Sequence, residues 1–356
     1  MLYMAIKISQ HVSLANYTSF HVGGNAEYLA VVSSTKELLE VLEKQEWKHI
    51  WLLGYGSNTL ISDRGLPGLT VVIRGGLIDA NGTTLFVDAG VWWDDVVKTA
   101  IDHELWGTEL MSEIPGSVGA ALFINITAYG QSIGPLVEWI EVWDKKNQAI
   151  KKYHKKELQW SYKSSLFQLD GHRDEVILRA CLQLNTTSQD ELVYQKALDV
   201  AEELNLTTTT LANRRKIIVE ARSRAGSLWS PDDKNNRTAG SFFRNVMVSH
   251  KKALELASYD ETGKTTEQIM TMNKVHGGDE TRVSAAHVML AAGFTRGQKF
   301  GQYVQLHDQN LLKIEALQGA NAKNIYDAML LIQQTVAVKL GVDLLAEAQL
   351  LGDFGS

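Results

Sequence analysis

From Glu113 to Gly130 the chain reads Glu-Ile-Pro-Gly-Ser-Val-Gly-Ala-Ala-Leu-Phe-Ile-Asn-Ile-Thr-Ala-Tyr-Gly, with three glycines, one proline and a single charge. Glycine gives up more conformational freedom on folding than any other residue. Such a run therefore marks positive φ angles or places where a side chain would strike a bound molecule. Consecutive backbone amides can hold a pyrophosphate without any lysine, which makes a flavin dinucleotide a candidate ligand. The alternative is a glycine-rich turn system without a ligand. A second cluster, Ala239-Gly-Ser-Phe-Phe-Arg-Asn245, puts a hydroxyl, two aromatics, a guanidinium and an amide together after a polar loop. It suits a pocket in which Phe242 and Phe243 form an apolar wall while Ser241, Arg244 and Asn245 address polar substrate atoms. A core strand with incidental polar flanks is the competing reading.

Other chemistries lack support. There is no His-Glu-x-x-His, no Walker motif and no Gly-x-Ser-x-Gly elbow. His172, His276 and His307 could each act as a base, but none has a partner at motif spacing, so surface or packing roles are expected. No metal site is expected, and the single cysteine, Cys181, lies in the apolar run Val176–Leu184 and reads as a small buried strand residue in a reducing compartment.

The elements that must position these clusters can be traced along the chain. A strand ends in Tyr28–Val32; Ser34-Thr-Lys-Glu37 then forms a capping box for a helix with Leu38, Leu39, Val41 and Leu42 on its apolar face. Ile50–Leu53, the turn Gly54-Tyr-Gly-Ser-Asn58 and a strand at Leu69–Ile73 complete a small α/β unit whose ligand end is the glycine turn. That turn lacks the full dinucleotide fingerprint and is followed by no helix, so a standard Rossmann domain fits poorly. Next come a strand at Leu85–Ala89, a helix over Trp92–Leu105, strands at Leu136–Trp143 and Val176–Leu184, and a helix over 189–204. Trp229–Thr238 is a polar boundary loop. Beyond it, helices are expected at about 284–292 and from Asn321 to Gly341, the second with an apolar stripe at Ile325, Met329, Ile332, Val336 and Leu340.

With 356 residues, two or three domains are expected, and a net charge of −6 from 41 acidic and 35 basic residues argues against nucleic acid or anionic membrane as partners. No stretch reaches eighteen apolar residues and no basic-then-apolar leader opens the chain, so a cytoplasmic, soluble protein is expected.

Taken in order, Leu53–Asn58, Ile114–Ala121, Asn125 with Ala128–Gly130, Ser161-Tyr-Lys163 with Ser165, Ala239–Asn245, Ala291–Phe294 and Glu347 resemble the UDP-N-acetylenolpyruvoylglucosamine reductases, flavoenzymes of bacterial cell-wall precursor synthesis. The likeness runs from Thr18 to the C-terminus. It implies an α+β fold of the FAD-binding, PCMH-like MurB type, with two FAD-binding α/β parts at 1–78 and 79–230 and a substrate-binding α+β domain at 231–346. Residues 347–356 are able to return to the first part. The resemblance implies FAD held by Gly54, Gly56, Ser57, Asn58, Gly116, Ser117, Gly119, Ala120, Asn125, Ala128, Tyr129, Gly130, Ile177 and Arg222. It also implies reduction of the flavin by NADPH, then hydride transfer to the β-carbon of an enolpyruvyl-UDP-sugar and protonation of the α-carbon, in a monomer. Negative charge grows on the substrate carboxylate as an enolate, so a cation and an acid beside it stabilise the transition state. Lys163 falls where the family has its arginine, Glu347 matches the acid and Ser241 the proton donor. Tyr194, Arg244 and Asn245 match substrate-binding positions.

The chain also departs from the family pattern. Lys163 keeps the charge of the arginine without its two-pronged geometry. Ala225 stands where a lysine is usual, with Arg224 beside it as a possible substitute. Leu122, Ile124 and Val246 also differ, and Thr127 puts a β-branched residue where backbone freedom is expected. A flavin- or sugar-nucleotide-binding relative with little catalysis, or a flavoprotein oxidase of another substrate, are the alternatives.

Overall fold

The computed structural model describes residues 6–44, 46–259 and 280–355; His276 lies outside the described residues. The chain divides into two compact units: the first runs to Val12 and takes in Ala26–Gly56 and Leu66–Asp233, and the second comprises Ser13–Asn25, Ser57–Gly65 and the chain from Lys234 onward. The polar loop Trp229–Thr238 thus contains the crossing point.

In the first unit a four-stranded sheet has the order Ile8–Ser13, Asn25–Val32, Leu66–Ile73, Ile50–Leu53, the last three mutually parallel. Its strand Leu66–Ile73 buries Leu69, Thr70, Val71 and Val72 in succession, as a parallel strand covered on both faces does. The strand that ends in Tyr28–Val32 begins at Asn25, just after Gly23, whose φ of 117° breaks the extended backbone. Helix α1, Thr35–Leu42, starts on Ser34, whose hydroxyl accepts from Glu37 N. The Glu37 carboxylate reaches back to Ser33 N at 2.7 Å instead of Ser34 N, so the box closes one residue early.

A second, all-antiparallel sheet orders Ala149–His154, Val137–Asp144, Glu175–Gln183, Thr84–Asp88 and Ile78–Asn81. Cys181 is buried in it. Helix α2, Trp93–Asp102, and the short α3, Val118–Phe123, pack on this sheet. Apart from Ser13–Asn25 and Ser57–Gly65, the stretches 1–78 and 79–230 lie in one compact unit, in which Trp143, Val176 and Leu178 of the second sheet pack in one cluster with Leu38, Val41 and Leu42 of α1.

Helices α4, Gln195–Glu203, and α5, Leu211–Arg224, form a small core around Val200, Ile217 and Ile218 with Leu110. The helix expected over 189–204 is confined to its C-terminal half. Helix α5 has no counterpart in the sequence reading, because several of its inward positions are charged.

In the second unit, α6 (His250–Ala257), α7 (Ala285–Ala291) and α8 (Ala322–Leu340) surround a core that includes Phe20, Leu60, Val304 and Ile314. Helix α8 is the expected one: Asn321 closes a reciprocal capping box with Asn324, Ile325, Met329, Ile332, Val336 and Leu340 are buried, and Gly341 ends it at φ 62°. The C-terminal strand Gln349–Leu351 pairs in parallel with Thr59–Ile61, and both belong to this second unit. No helix among the described residues is long and apolar enough to cross a membrane.

Candidate functional site

The two glycine turns of the first unit meet. A Cβ on Gly54 would lie 2.6 Å from the Ser117 hydroxyl, and one on Gly119 would lie 3.1 Å from Ala89 Cβ. Close packing thus crowds any side chain at these two glycines, while Gly56 (φ 69°), Gly116 (φ 138°) and Gly130 (φ 93°) adopt positive φ that favours glycine. The expectation of a ladder of free amides needs correcting. Val118 N donates to Val91 O, Gly119 N to Ala89 O and Ala120 N to the Ser117 hydroxyl, so these donors are spent within the protein. Around the meeting point stand Tyr55, edge-on to Trp92 with centroids 4.6 Å apart, and the Arg74 guanidinium 5.1 Å from the Tyr55 ring.

Further along the same segment, Thr127–Ala128 and Gln131–Ser132 form a hairpin whose turn residues Tyr129 and Gly130 both have positive φ. Thr127 is thus in extended backbone, where a β-branched residue is welcome, and the anticipated conflict does not arise. Asn125 is buried at φ 47° and ties two other segments together: its Nδ2 donates to Ser161 O at 2.8 Å and its Oδ1 accepts from Gly134 N at 3.1 Å. The Ser161–Ser164 turn closes on itself by two backbone bonds, and Ser165 and Gln168 both donate to Phe123 O. Lys163 sits within this turn at φ 54°, half-buried, its Nζ 3.4 Å from Thr127 O. Ile177 is buried in the second sheet, paired with Val142.

Helix α5 brings three arginines to this region. Arg214 donates to the buried Glu109 at 2.9 Å, and Glu109 in turn accepts from Gln131. Arg215 grips both oxygens of the fully buried Asp94 at 2.7 Å and also reaches Glu113. Arg222 donates through Nη2 to Ser227 O, while its Nε is buried without a hydrogen bond among the described residues. The residue as a whole is only partly covered, but its guanidinium is deep enough that burial pulls its pKa down against the attraction of Tyr129, Glu113 and Asp94. Burial raises the Tyr129 phenol in turn, and the ring of Tyr194 stands edge-on to that of Tyr129 at 5.6 Å. The structure therefore gathers Tyr129, Tyr194 and Arg222. Arg224 does not stand in for the missing lysine, since it bonds Glu220 and Glu203 on an exposed face and Ala225 is the C-cap of α5.

In the second unit the Ser241 segment runs antiparallel to the C-terminal segment. Arg244 N donates to Leu345 O, Glu347 N donates to Phe242 O at 2.8 Å, and Phe243 bridges Ala346. Ser241 and Glu347 thus sit on adjacent backbones, both partly exposed. Asn58 is a strut in this arrangement: its Nδ2 donates to Glu347 O and its carbonyl accepts from Gln349 N. Ser57 O accepts from the Ser19 hydroxyl. Phe242 and Phe243 are fully buried in the core beside Phe20, which corrects their assignment to a pocket wall. Asn245 has its Oδ1 committed to Ala285 N at the start of α7. His172 is bonded to Glu175 and His307 accepts from Gln309 N, in keeping with packing roles.

Residues 26–151 match the family described as FAD binding domain, and residues 231–351 match the C-terminal domain family of UDP-N-acetylenolpyruvoylglucosamine reductase. The reductase of Thermobifida fusca is 28% identical over 98% of this chain and 99% of its own length; one from Corynebacterium glutamicum is 28% identical over 98% and 95%. The crystal structure of the reductase (MurB) from Thermus caldophilus covers 98% of this chain with a TM-score of 0.63 at 22% identity, a likeness of fold. The chain belongs to the UDP-N-acetylenolpyruvoylglucosamine reductase family. With the family come an FAD-binding domain and a reductase activity of the MurB type in peptidoglycan precursor synthesis.

The residues fit a flavin dinucleotide. Arg222 keeps a buried cationic donor unbonded, and the two glycine turns meet with only the small Ser117 side chain against Gly54. Sequence reasoning missed Asp94, Arg215, Arg74 and Tyr55 in this MurB-type site. The available signal was Asp94 itself, an acid in the first turn of α2 between Trp93 and Val96, all three fully buried.

Proposed function

We propose that this chain reduces UDP-N-acetyl-3-O-(1-carboxyvinyl)-glucosamine to UDP-N-acetylmuramate, using FAD and NADPH. The observation that carries the reading is the backbone pairing that brings the Ser241 segment alongside Glu347, which Asn58 braces. FAD would be held by Gly54, Gly56, Gly116, Ser117, Tyr129 and Arg222, and when bound it carries a hydride from NADPH to the enol ether. The chain's own residues supply the rest. Lys163 places a positive charge on the half-buried turn tied to Asn125, suited to a carboxylate whose charge grows. Glu347, beside the Ser241 segment, is the acid of this reading. Ser241 delivers its hydroxyl proton to the α-carbon, forming the new C–H bond, and regains a proton from water. Under this reading the protein works as a monomer in the cytoplasm, with neither nucleic acid nor membrane as a partner.

Anaerobic visible spectroscopy tests this. The flavin bands should bleach with NADPH and return with the enolpyruvyl sugar nucleotide. A flavin that bleaches yet is not reoxidised by that substrate would favour a binding relative with little catalysis, the reading that the commitment of Arg224 to surface acids supports. No bleaching with NADPH would remove the nicotinamide step.

A further inference from the structure

Glu113 immediately precedes Ile114-Pro-Gly116 and has a φ of 57°, a left-handed conformation that is unfavourable for an ordinary side chain. The conformation is held from outside: Glu113 N donates to Asp94 Oδ1 at 2.7 Å, and the Glu113 carboxylate takes Arg215 Nη2 at 2.9 Å. Asp94, with no exposed surface, is gripped by both Arg215 amino groups and approached by Lys98 at 3.0 Å. Lys98 also lies 3.7 Å from Asp95, and the cost of burying Asp94 is offset by its three cationic hydrogen bonds.

Arg215 lies seven residues, two helical turns, before Arg222 on α5, hence on the same face of the helix. One rigid helix therefore holds the entry to the glycine segment through Arg215 and approaches Tyr129 near its exit through Arg222. Between those two points lie Gly116, Ser117 and Gly119. We propose that Asp94, Glu113 and Arg215 form a positioning lock that sets the glycine segment at a fixed height against Arg222, and that FAD affinity depends on it. None of the three needs to touch the cofactor; they act through the backbone of residues 113–119. The inference rests on FAD being the ligand of this unit.

The test is FAD binding to the apoprotein, followed by quenching of flavin fluorescence, with folding checked by circular dichroism. Glu113→Gly retains the backbone conformation without the carboxylate and should leave the dissociation constant within three-fold of wild type. Glu113→Ala loses the ion pair that offsets the strained backbone and should weaken binding at least ten-fold. This rescue by glycine is the signature of backbone placement. Equal, wild-type binding by both variants overturns the proposal, and so does an equal loss in both, because the carboxylate and not the backbone it holds would then set the affinity. If Glu113→Ala does not fold, Arg215→Lys replaces it, keeping the charge while losing the fork, with the same ten-fold limit. Failure of wild-type protein to bind FAD would instead sink the functional reading on which the proposal rests.

Discussion

Replacing Asn125 measures what joins the glycine segment to the turn bearing Lys163. The side chain makes two bonds, to Ser161 O and from Gly134 N, in a buried setting. Each net hydrogen bond is worth about 1 kcal/mol, and more where the abandoned partner stays dry. The left-handed backbone adds about 1 kcal/mol against alanine, because asparagine tolerates it and alanine does not. Asn125→Ala should therefore cost about 3 kcal/mol and Asn125→Gly about 2 kcal/mol, since glycine recovers the backbone share but neither bond. Urea denaturation of the apoprotein, compared at constant slope, reads both values. A loss below about 1 kcal/mol for Asn125→Ala, or a glycine variant no more stable than the alanine one, would falsify the reasoning, since bonds and backbone would not be contributing as assigned. Both variants should also lower turnover, because the Lys163 turn loses its anchor.

Three further outcomes are expected. Ser241→Ala should leave flavin reduction by NADPH intact while slowing reoxidation by the enolpyruvyl substrate by roughly 10²-fold or more, as removal of a proton donor does; stopped-flow measurement of the two half-reactions separates them. Lys163→Arg should raise kcat by restoring a two-pronged grip on the substrate carboxylate, and an unchanged or lower rate removes Lys163 from that position. Although burial opposes it, hydrogen bonding from Arg215, Glu113 N and Lys98 holds the Asp94 carboxyl well below the usual carboxylate range. Its contribution is then complete above the unfolded value near about pH 4 and is lost as pH falls toward the depressed folded one. Asp94→Asn should accordingly be less stable at neutral pH and show a shallower acid limb in thermal melts taken from pH 6 downward; an acid limb identical to wild type would contradict the assignment.

Much of the scaffold was legible because it follows local rules. The apolar stripe of α8, its Asn321 cap and its Gly341 stop needed only helical periodicity and terminal chemistry. The strands at 50–53, 137–144 and 175–183 announced themselves by β-branched and aromatic runs. Helix α5 was hidden for the opposite reason. Arg214 and Arg215 bond buried carboxylates and burial surrounds the Arg222 guanidinium, so the buried side of the helix does not look apolar. Phe242 and Phe243 misled because adjacent aromatics look the same in sequence whether they line a pocket or fill a core.

The sequence by itself determined which residues are chemically able to act: the glycine turns, Lys163, Ser241, Glu347, Tyr129 and Arg222, along with the local elements that carry them. Tertiary structure decided who meets whom. Gly54 faces Ser117, Asn125 holds the Lys163 turn, Asn58 braces Glu347, and Asp94 joins Arg215 across 121 residues. These contacts join segments far apart in the chain, and their partners are chosen by backbone carbonyls, amides and buried charges. A carbonyl looks alike at every position of a sequence, so only the folded chain shows which one a given side chain finds.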